Sequence, residues 1–165
     1  MWACLSRRPS PALAFFPGSC PCARSYCVCR NVRGVRRLFH GTAKGAMPKI
    51  NRNSFNRSYC GKNATVYGEG VYFAVGAAPW SIRDTYSPPD DQGFKYMYLA
   101  RVAVGEFCEG DSSMRVPPAQ PGTGDLLPYD ATVDNVREPE MYVAYHDAQA
   151  YPEYLPEYLV TIRRA

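Results

Sequence analysis

The sequence predicts a strand-dominated α+β domain with few helices, and three observations carry that expectation. Short apolar or alternating runs rich in β-branched and aromatic residues recur between loops marked by Gly and Pro. Aromatic residues make up 13 % and hydrophobic residues 46 % of the 165 residues, enough for one domain with a real core. Segments that suit a helix are few and short, with Pro acceptable only near their starts.

Residues 1–35 read as a Cys-, Arg- and Pro-rich extension without regular structure, and residues 36–165 as the folded domain. Within the domain, 37–42 predicts a strand running into a turn. Residues 47–54 suit a short helix, with Pro48 in its first turn. Residues 61–70 form a polar loop punctuated by Gly, and the apolar run 71–75 a buried strand. A second short helix is expected over 77–86, entered near Pro79. The clearest strand is 95–104, aromatic and β-branched throughout. The stretch 110–128 reads as a long Gly/Pro/Asp loop, and loops of that length tend to serve function. Two further strands are expected over 140–146 and 158–163. Pro152-Glu153-Tyr154-Leu155 is repeated at once as Pro156-Glu157-Tyr158-Leu159, too short a unit to be a structural repeat. The extra copy is expected to bulge as a loop before the last strand, because Pro lacks the N–H of a central ladder.

Charge is divided unevenly. Residues 1–68 hold 12 Lys/Arg and no acid, and residues 69–165 hold 7 Lys/Arg against 15 Asp/Glu, so the halves carry +12 and −8. A basic site for an anionic ligand in an acidic domain accounts for this better than a nucleic-acid binder, whose basicity would not stop where the strand-like sequence begins. Five of the seven Cys lie in the first thirty residues, and Cys60 and Cys108 alone fall in the domain, which argues for a reducing, intracellular setting. The Cys20-Pro-Cys22 and Cys27-Val-Cys29 spacings are too tight for a structural zinc site, so no metal is expected. No apolar run approaches the ~20 residues that span a bilayer, so no membrane partner is expected. The stretch 12–16, hemmed by Pro9, Pro11 and Pro17, makes a poor secretory core.

His40-Gly41-Thr42 and the stretch from Gly68 to Ala74 place a His and a Tyr on two short strands beside small residues, as in a cleft for a flat, sugar-bearing ligand. Taken singly, each has a plain structural explanation. A His beside Gly is commonly a hydrogen-bonded strand residue, a Tyr in Val-Tyr-Phe-Ala is core, and a lone Arg57 is a solvated charge. Taken together they resemble a known family. Leu-Phe-His-Gly-Thr (38–42), Phe-Asn-Arg-Ser (55–58), Gly-Lys-Asn-Ala (61–64), Tyr-Gly-Glu-Gly-Val-Tyr-Phe-Ala-Val (67–75), Asp-Thr-Tyr-Ser (84–87) and the 142–155 stretch are similar to the catalytic domain of poly(ADP-ribose) polymerases. The likeness is greatest to the macrodomain-linked members that transfer single ADP-ribose units.

The resemblance implies an ADP-ribosyltransferase-like fold of two packed, mainly antiparallel sheets, NAD as co-substrate, and protein acceptors that include the chain itself. It implies a catalytic signature of His40, Tyr72 and Met141, and NAD contacts from Gly41, Thr42, Arg57, Ser81 and Tyr86. The residue chemistry agrees. Gly41 lets its backbone reach a carboxamide, His40 offers a ring nitrogen to a ribose hydroxyl, and Tyr72 and Tyr86 offer flat faces worth about 0.5–1.5 kcal/mol per stacking contact. Ser81 would give its hydroxyl to the amide oxygen, and Arg57 a cation to the pyrophosphate or the adenine face. Where chain-elongating members carry a Glu as third element, this chain has Met141. Glu140 is adjacent, but neighbouring side chains on a strand point to opposite faces. Single transfer follows as the expected activity, with NAD or ADP-ribose binding without turnover as the alternative.

Further expectations come from the same likeness. About sixty residues that precede the His-Gly-Thr strand in the family, a strand and a helix among them, have no counterpart here, which would bare apolar surface on their neighbours. Acceptor selectivity is expected in the 106–137 region. A nuclear or cytoplasmic location is implied. The Arg-rich, acid-free leader is the weaker case for a mitochondrial address, since its Pro and Cys oppose an amphipathic helix.

Overall fold

Two long strands form the centre of the sheet. β1 (Val35–Thr42) and β3 (Phe94–Ala103) pair antiparallel from Val35↔Ala103 to Thr42↔Tyr96. Residues 95–98 are buried on both faces, as befits a central strand rather than a half-exposed one. The computed structural model describes residues 34–59, 65–78, 84–155 and 157–159, all within the unit Gly34–Ala165. The Cys-rich extension, Cys60 and Ser81 lie outside the described residues.

Five more strands are β2 (Val71–Ala74), β4 (Phe107–Glu109), β5 (Ala131–Val133), β6 (Met141–Ala144) and β7 (Ala150–Tyr154). The strand order is β4-β5-β6-β2-β1-β3-β7, and β8 (Glu157–Leu159) also pairs with β3. Every pairing is antiparallel except β4 with β5. One short helix, α1 (Met47–Asn53), follows β1, with Pro in its first turn. It ends at Ser54, whose φ of 61° turns the chain so that Phe55 enters the core.

The sheet cannot be flat. Only residues 104–106 join β3 to β4, and four Cα steps reach at most about 15 Å. Five strand spacings separate those two strands in the sheet order, which is about 24 Å in a flat sheet. The ribbon therefore folds back on itself, and the narrow place is β1–β2, which share the single register pair Phe39↔Ala74. Leu38, Tyr98, Ala100 and Val102 from one arm and Phe73, Val133, Tyr142 and Ala144 from the other close into one buried cluster with Phe55. Each such aliphatic or aromatic side chain contributes about 1.5–3 kcal/mol on burial. The two sheets expected from the sequence are thus two arms of one eight-stranded sheet.

Several local expectations are corrected. Of the helix expected over 77–86, Ala78 is helical, Asp84, Thr85 and Tyr86 form a turn instead, and residues 79–83 lie outside the described residues. The strand expected over 140–146 is limited to Met141–Ala144, followed by a 3-10 turn at Asp147–Gln149. The tandem repeat does not bulge as a loop. Its first copy lies in β7 and its second supplies β8, and both pair with β3, against Leu99–Val102 and Phe94–Tyr96 respectively. Pro152 is accommodated because β7 is an edge strand and the register shifts between Leu99 and Ala100. Inside the 110–128 loop, Ala119 bridges Pro128 and the Gln120 N–H donates to the Leu127 carbonyl at 2.8 Å, which makes a small hairpin.

Candidate active site

His40, Gly41 and Tyr72 meet at the narrow place between β1 and β2. The Val75 N–H donates to the Glu140 carbonyl at 2.9 Å, so Val75 turns its backbone groups towards β6. By alternation Ala74 and Tyr72 turn theirs towards β1. Phe39 pairs with Ala74, so Phe39 and, two residues on, Gly41 turn theirs towards β2. The ladder stops at that pair. The Tyr72 carbonyl, which would be the next partner for Gly41, instead accepts from His40 Nδ1 at 2.9 Å. A side chain has replaced a rung of the ladder, and the Gly41 N–H and C=O face the resulting gap.

That bond also fixes the imidazole tautomer. A carbonyl can only accept, so Nδ1 carries the hydrogen and the neutral ring keeps its lone pair on Nε2. Burial pushes the His40 pKa below its ordinary value, and the bond to Tyr72 opposes this without cancelling it. The ring is held edge-on to Phe55 at 5.0 Å and tilted against Phe73 at 5.5 Å. His40 thus presents a neutral acceptor.

Tyr72 is held at its far end. Its hydroxyl donates to the Gly68 carbonyl at 2.8 Å and accepts from the Tyr67 N–H at 2.9 Å. The loop is clamped from the other side, because Thr132 Oγ1 donates to the Tyr67 carbonyl at 2.7 Å and lies 3.0 Å from the Tyr145 hydroxyl. Gly68 is required here: its φ is +122°, and a Cβ would fall 1.8 Å from Tyr145 Oη.

Strand alternation places Tyr72 on the same face as Ala74 and, across the ladder, Met141. On this face Phe39, Ala77, Tyr86 and Met141 pack on buried Ala74 and Met97. The next residue along, Tyr142, belongs to the opposite cluster, and Glu140 is exposed. Met141, not Glu140, therefore stands on the face of Tyr72 and Tyr86. Tyr86 approaches Gly41 directly, with its carbonyl 3.2 Å from where a Cβ on Gly41 would sit.

The remaining predicted residues divide. Thr42 is buried and pairs with Tyr96. Arg57 braces loops: its Nε donates to the Glu69 carbonyl at 2.9 Å, a terminal nitrogen donates to the Arg115 carbonyl, and the guanidinium lies 5.5 Å over the Tyr145 ring. It lines an open cleft of about 430 Å³ with Ser58, Tyr145, His146 and Asp147. The sequence reading assigns this guanidinium to the pyrophosphate or the adenine face, and the cleft it lines lies open beside it. Sequence reasoning missed Thr132, Tyr145, Ser87 and Asp90, which hold the walls. Buried hydroxyls that pair with distant backbone groups leave no local pattern to find.

The gap fits a nicotinamide dinucleotide chemically. A backbone donor and acceptor face it at Gly41, two aromatic rings and a Met share one face beside it, and the neutral His40 imidazole borders it, packed against Phe55 and Phe73. Among the described residues no group of three His, Cys, Asp or Glu could hold a metal, and no helix is long and apolar enough to cross a membrane.

The family model of the poly(ADP-ribose) polymerase catalytic domain matches residues 19–121, starting inside the segment read as an extension. The chain is 51 % identical over 120 residues to human "Protein mono-ADP-ribosyltransferase PARP14", covering 73 % of this chain and 7 % of that protein. It is 42 % identical over 118 residues to mouse "Protein mono-ADP-ribosyltransferase PARP10", covering 72 % of this chain and 12 % of the relative. The chain thus spans a small fraction of these relatives. The PARP domain of Arabidopsis RADICAL-INDUCED CELL DEATH1 superposes with a TM-score of 0.59 at 21 % identity, covering 77 % of this chain and 68 % of that one, a likeness of fold. With its fold, its His-Gly-Thr gap and the family match in agreement, the chain belongs to the poly(ADP-ribose) polymerase catalytic-domain family.

Proposed function

We propose that the chain is an NAD-dependent protein mono-ADP-ribosyltransferase, one that moves a single ADP-ribose from NAD to a protein side chain and releases nicotinamide. The observation that carries the reading is Met141, set on the face of Tyr72 and Tyr86 where an elongating enzyme needs a carboxylate. A thioether bears no charge and accepts only weakly, so it cannot orient a ribose hydroxyl for a second transfer.

NAD would supply the ADP-ribosyl group and a leaving nicotinamide. The chain's own residues supply position. Gly41 would bind the carboxamide through its N–H and C=O, and Tyr72 and Tyr86 would hold the ring between flat faces. Nε2 of His40 would accept from a ribose hydroxyl, a task that needs the neutral ring its environment favours. Ser81 and Thr42 remain assigned to the same ligand by the resemblance. The acceptor would be a protein carboxylate or other nucleophile, on another chain or on this one, in the nucleus or cytoplasm. The 106–137 region is the proposed seat of acceptor choice.

Met141 also favours a second reading, NAD or ADP-ribose binding without turnover, because it removes the one side chain that could activate an acceptor. Nicotinamide release from NAD by the purified chain, with His40→Ala as control, separates the two. Release that depends on His40 supports transfer, and thermal stabilisation by NAD without release supports binding alone.

A further inference from the structure

Ser87 is fully buried, and its hydroxyl spans both backbone groups of one residue on a neighbouring strand. Oγ donates to the Tyr96 carbonyl at 2.9 Å and accepts from the Tyr96 N–H at 3.1 Å. The hydroxyl thus binds β3 at the residue that pairs with Thr42, the residue after Gly41. Asp90 holds the same residue from its other end. Its carboxylate accepts from the Tyr96 hydroxyl at 2.8 Å and from Lys44 at 2.7 Å, and its second oxygen accepts from the N–H groups of Gln92 and Phe94. The 87–90 segment is therefore tied twice to Tyr96.

The consequence falls on Tyr86. Its carbonyl and the Ser87 Cβ lie 3.2 and 3.4 Å from the place a Cβ on Gly41 would take. No side chain fits between Gly41 and the 86–87 backbone, and the Ser87 hydroxyl ties that backbone to β3 at the point nearest Gly41. We propose that Ser87 is a positioning residue that sets Tyr86 against Gly41 and so fixes the width of the slot for the nicotinamide ring. The proposal rests on the reading of the gap as an NAD site, and it adds to that reading a residue that touches no ligand.

A merely structural Ser87 would lower stability and weaken every ligand alike. A positioning Ser87 acts on the nicotinamide end alone. Two probes distinguish the cases: benzamide, a flat ring bearing the same carboxamide, and ADP-ribose, which lacks the nicotinamide. Calorimetric titration of Ser87→Ala is expected to show benzamide affinity reduced by about tenfold, the scale of one lost buried hydrogen bond, with ADP-ribose affinity held within about twofold. Ser54→Ala, which removes the hydroxyl that donates to the Ala150 carbonyl at 2.8 Å, is the stability control and leaves both affinities within about twofold. Equal benzamide affinity in Ser87→Ala and the unsubstituted chain, or equal losses for both probes, overturns the proposal. Ser87→Cys keeps the side-chain size with a weaker donor. Should Ser87→Ala not fold, Ser87→Cys must show the same selective loss in smaller degree, and its failure to do so overturns the proposal equally. An unsubstituted chain that binds ADP-ribose but not benzamide overturns it too. One that binds neither probe overturns the NAD reading itself, and the proposal with it.

Discussion

Replacing Gly68 with Ala tests the clamp that holds Tyr72. The residue sits at φ +122°, where an L side chain is strained, and its new Cβ would lie 1.8 Å from Tyr145 Oη and 3.0 Å from Tyr145 Cζ. The backbone strain costs about 1–3 kcal/mol, and the overpacking against Tyr145 about 1–3 kcal/mol more. A combined loss of about 3 kcal/mol, at a urea slope of about 2 kcal/mol/M, lowers the unfolding midpoint by about 1.5 M. Tyr145→Phe removes the hydroxyl that makes the closest contact and costs about 1 kcal/mol by itself, because the Thr132 hydroxyl keeps its bond to the Tyr67 carbonyl. The double variant should therefore be less destabilised than the two single losses together, by about 1–3 kcal/mol. Urea unfolding of the four proteins of this cycle at 25 °C gives the coupling. Strict additivity, or a Gly68→Ala protein as stable as its parent, refutes the account of the clamp.

Other expectations follow from the same contacts. Tyr72→Phe keeps the ring but drops the hydroxyl that joins the Tyr67 N–H to the Gly68 carbonyl, so stability should fall by about 1–2 kcal/mol while benzamide affinity changes less than about threefold; the reverse pattern contradicts the stacking role. The His40 pKa is lowered in the folded chain, so protonation opposes folding. Its contribution is fully present above about pH 6.5 and is lost as pH falls through the lower folded value. The urea midpoint should hold above pH 7 and decline below 6.5, and a rise on acidification contradicts this. Asp90 is held well below the usual carboxylate range, first by Lys44 and then by the Tyr96 hydroxyl. Its contribution is present above about pH 3.8 and disappears as pH falls below it, so Asp90→Asn should flatten the loss of thermal stability between about pH 4 and 2. An unchanged acid limb would show that Asp90 does not tie the 87–90 segment to β3.

The parts of the fold legible in the sequence are those whose strands carry a local period. β1, β2, β3 and β6 stand out because four to ten residues of alternation or continuous apolar run suffice to be recognised. β4 and β5 hold three residues each, too few for any period, and their parallel pairing depends on the ribbon folding back. β7 and β8 were obscured by Pro-Glu-Tyr-Leu: Pro argues against a strand, and only the edge position and the register shift of β3 make room for it. The turn at residues 84–86 was misread as helical because a buried Lys95 paired with Asp84 at 2.6 Å, and Ser87 bonded to Tyr96, pull that segment onto the sheet. Of the residues proposed for the site, His40, Gly41, Tyr72, Tyr86 and Met141 are assigned from their order along the chain. What could not be read was that the His40 ring replaces a ladder bond, or that Arg57 spends its guanidinium on two carbonyls. Both depend on which residues meet across more than thirty positions or between separate loops.

The central claim is that this gap transfers ADP-ribose once per site. Intact-mass spectrometry of the purified chain after incubation with NAD and an acceptor protein tests it most directly, with nicotinamide measured in the same samples. The account predicts discrete increments of a single ADP-ribose at each modified site, nicotinamide released in equal amount, and loss of both with His40→Ala and with Tyr72→Ala. A series of ever longer chains on one site, or modification that survives His40→Ala, would contradict it.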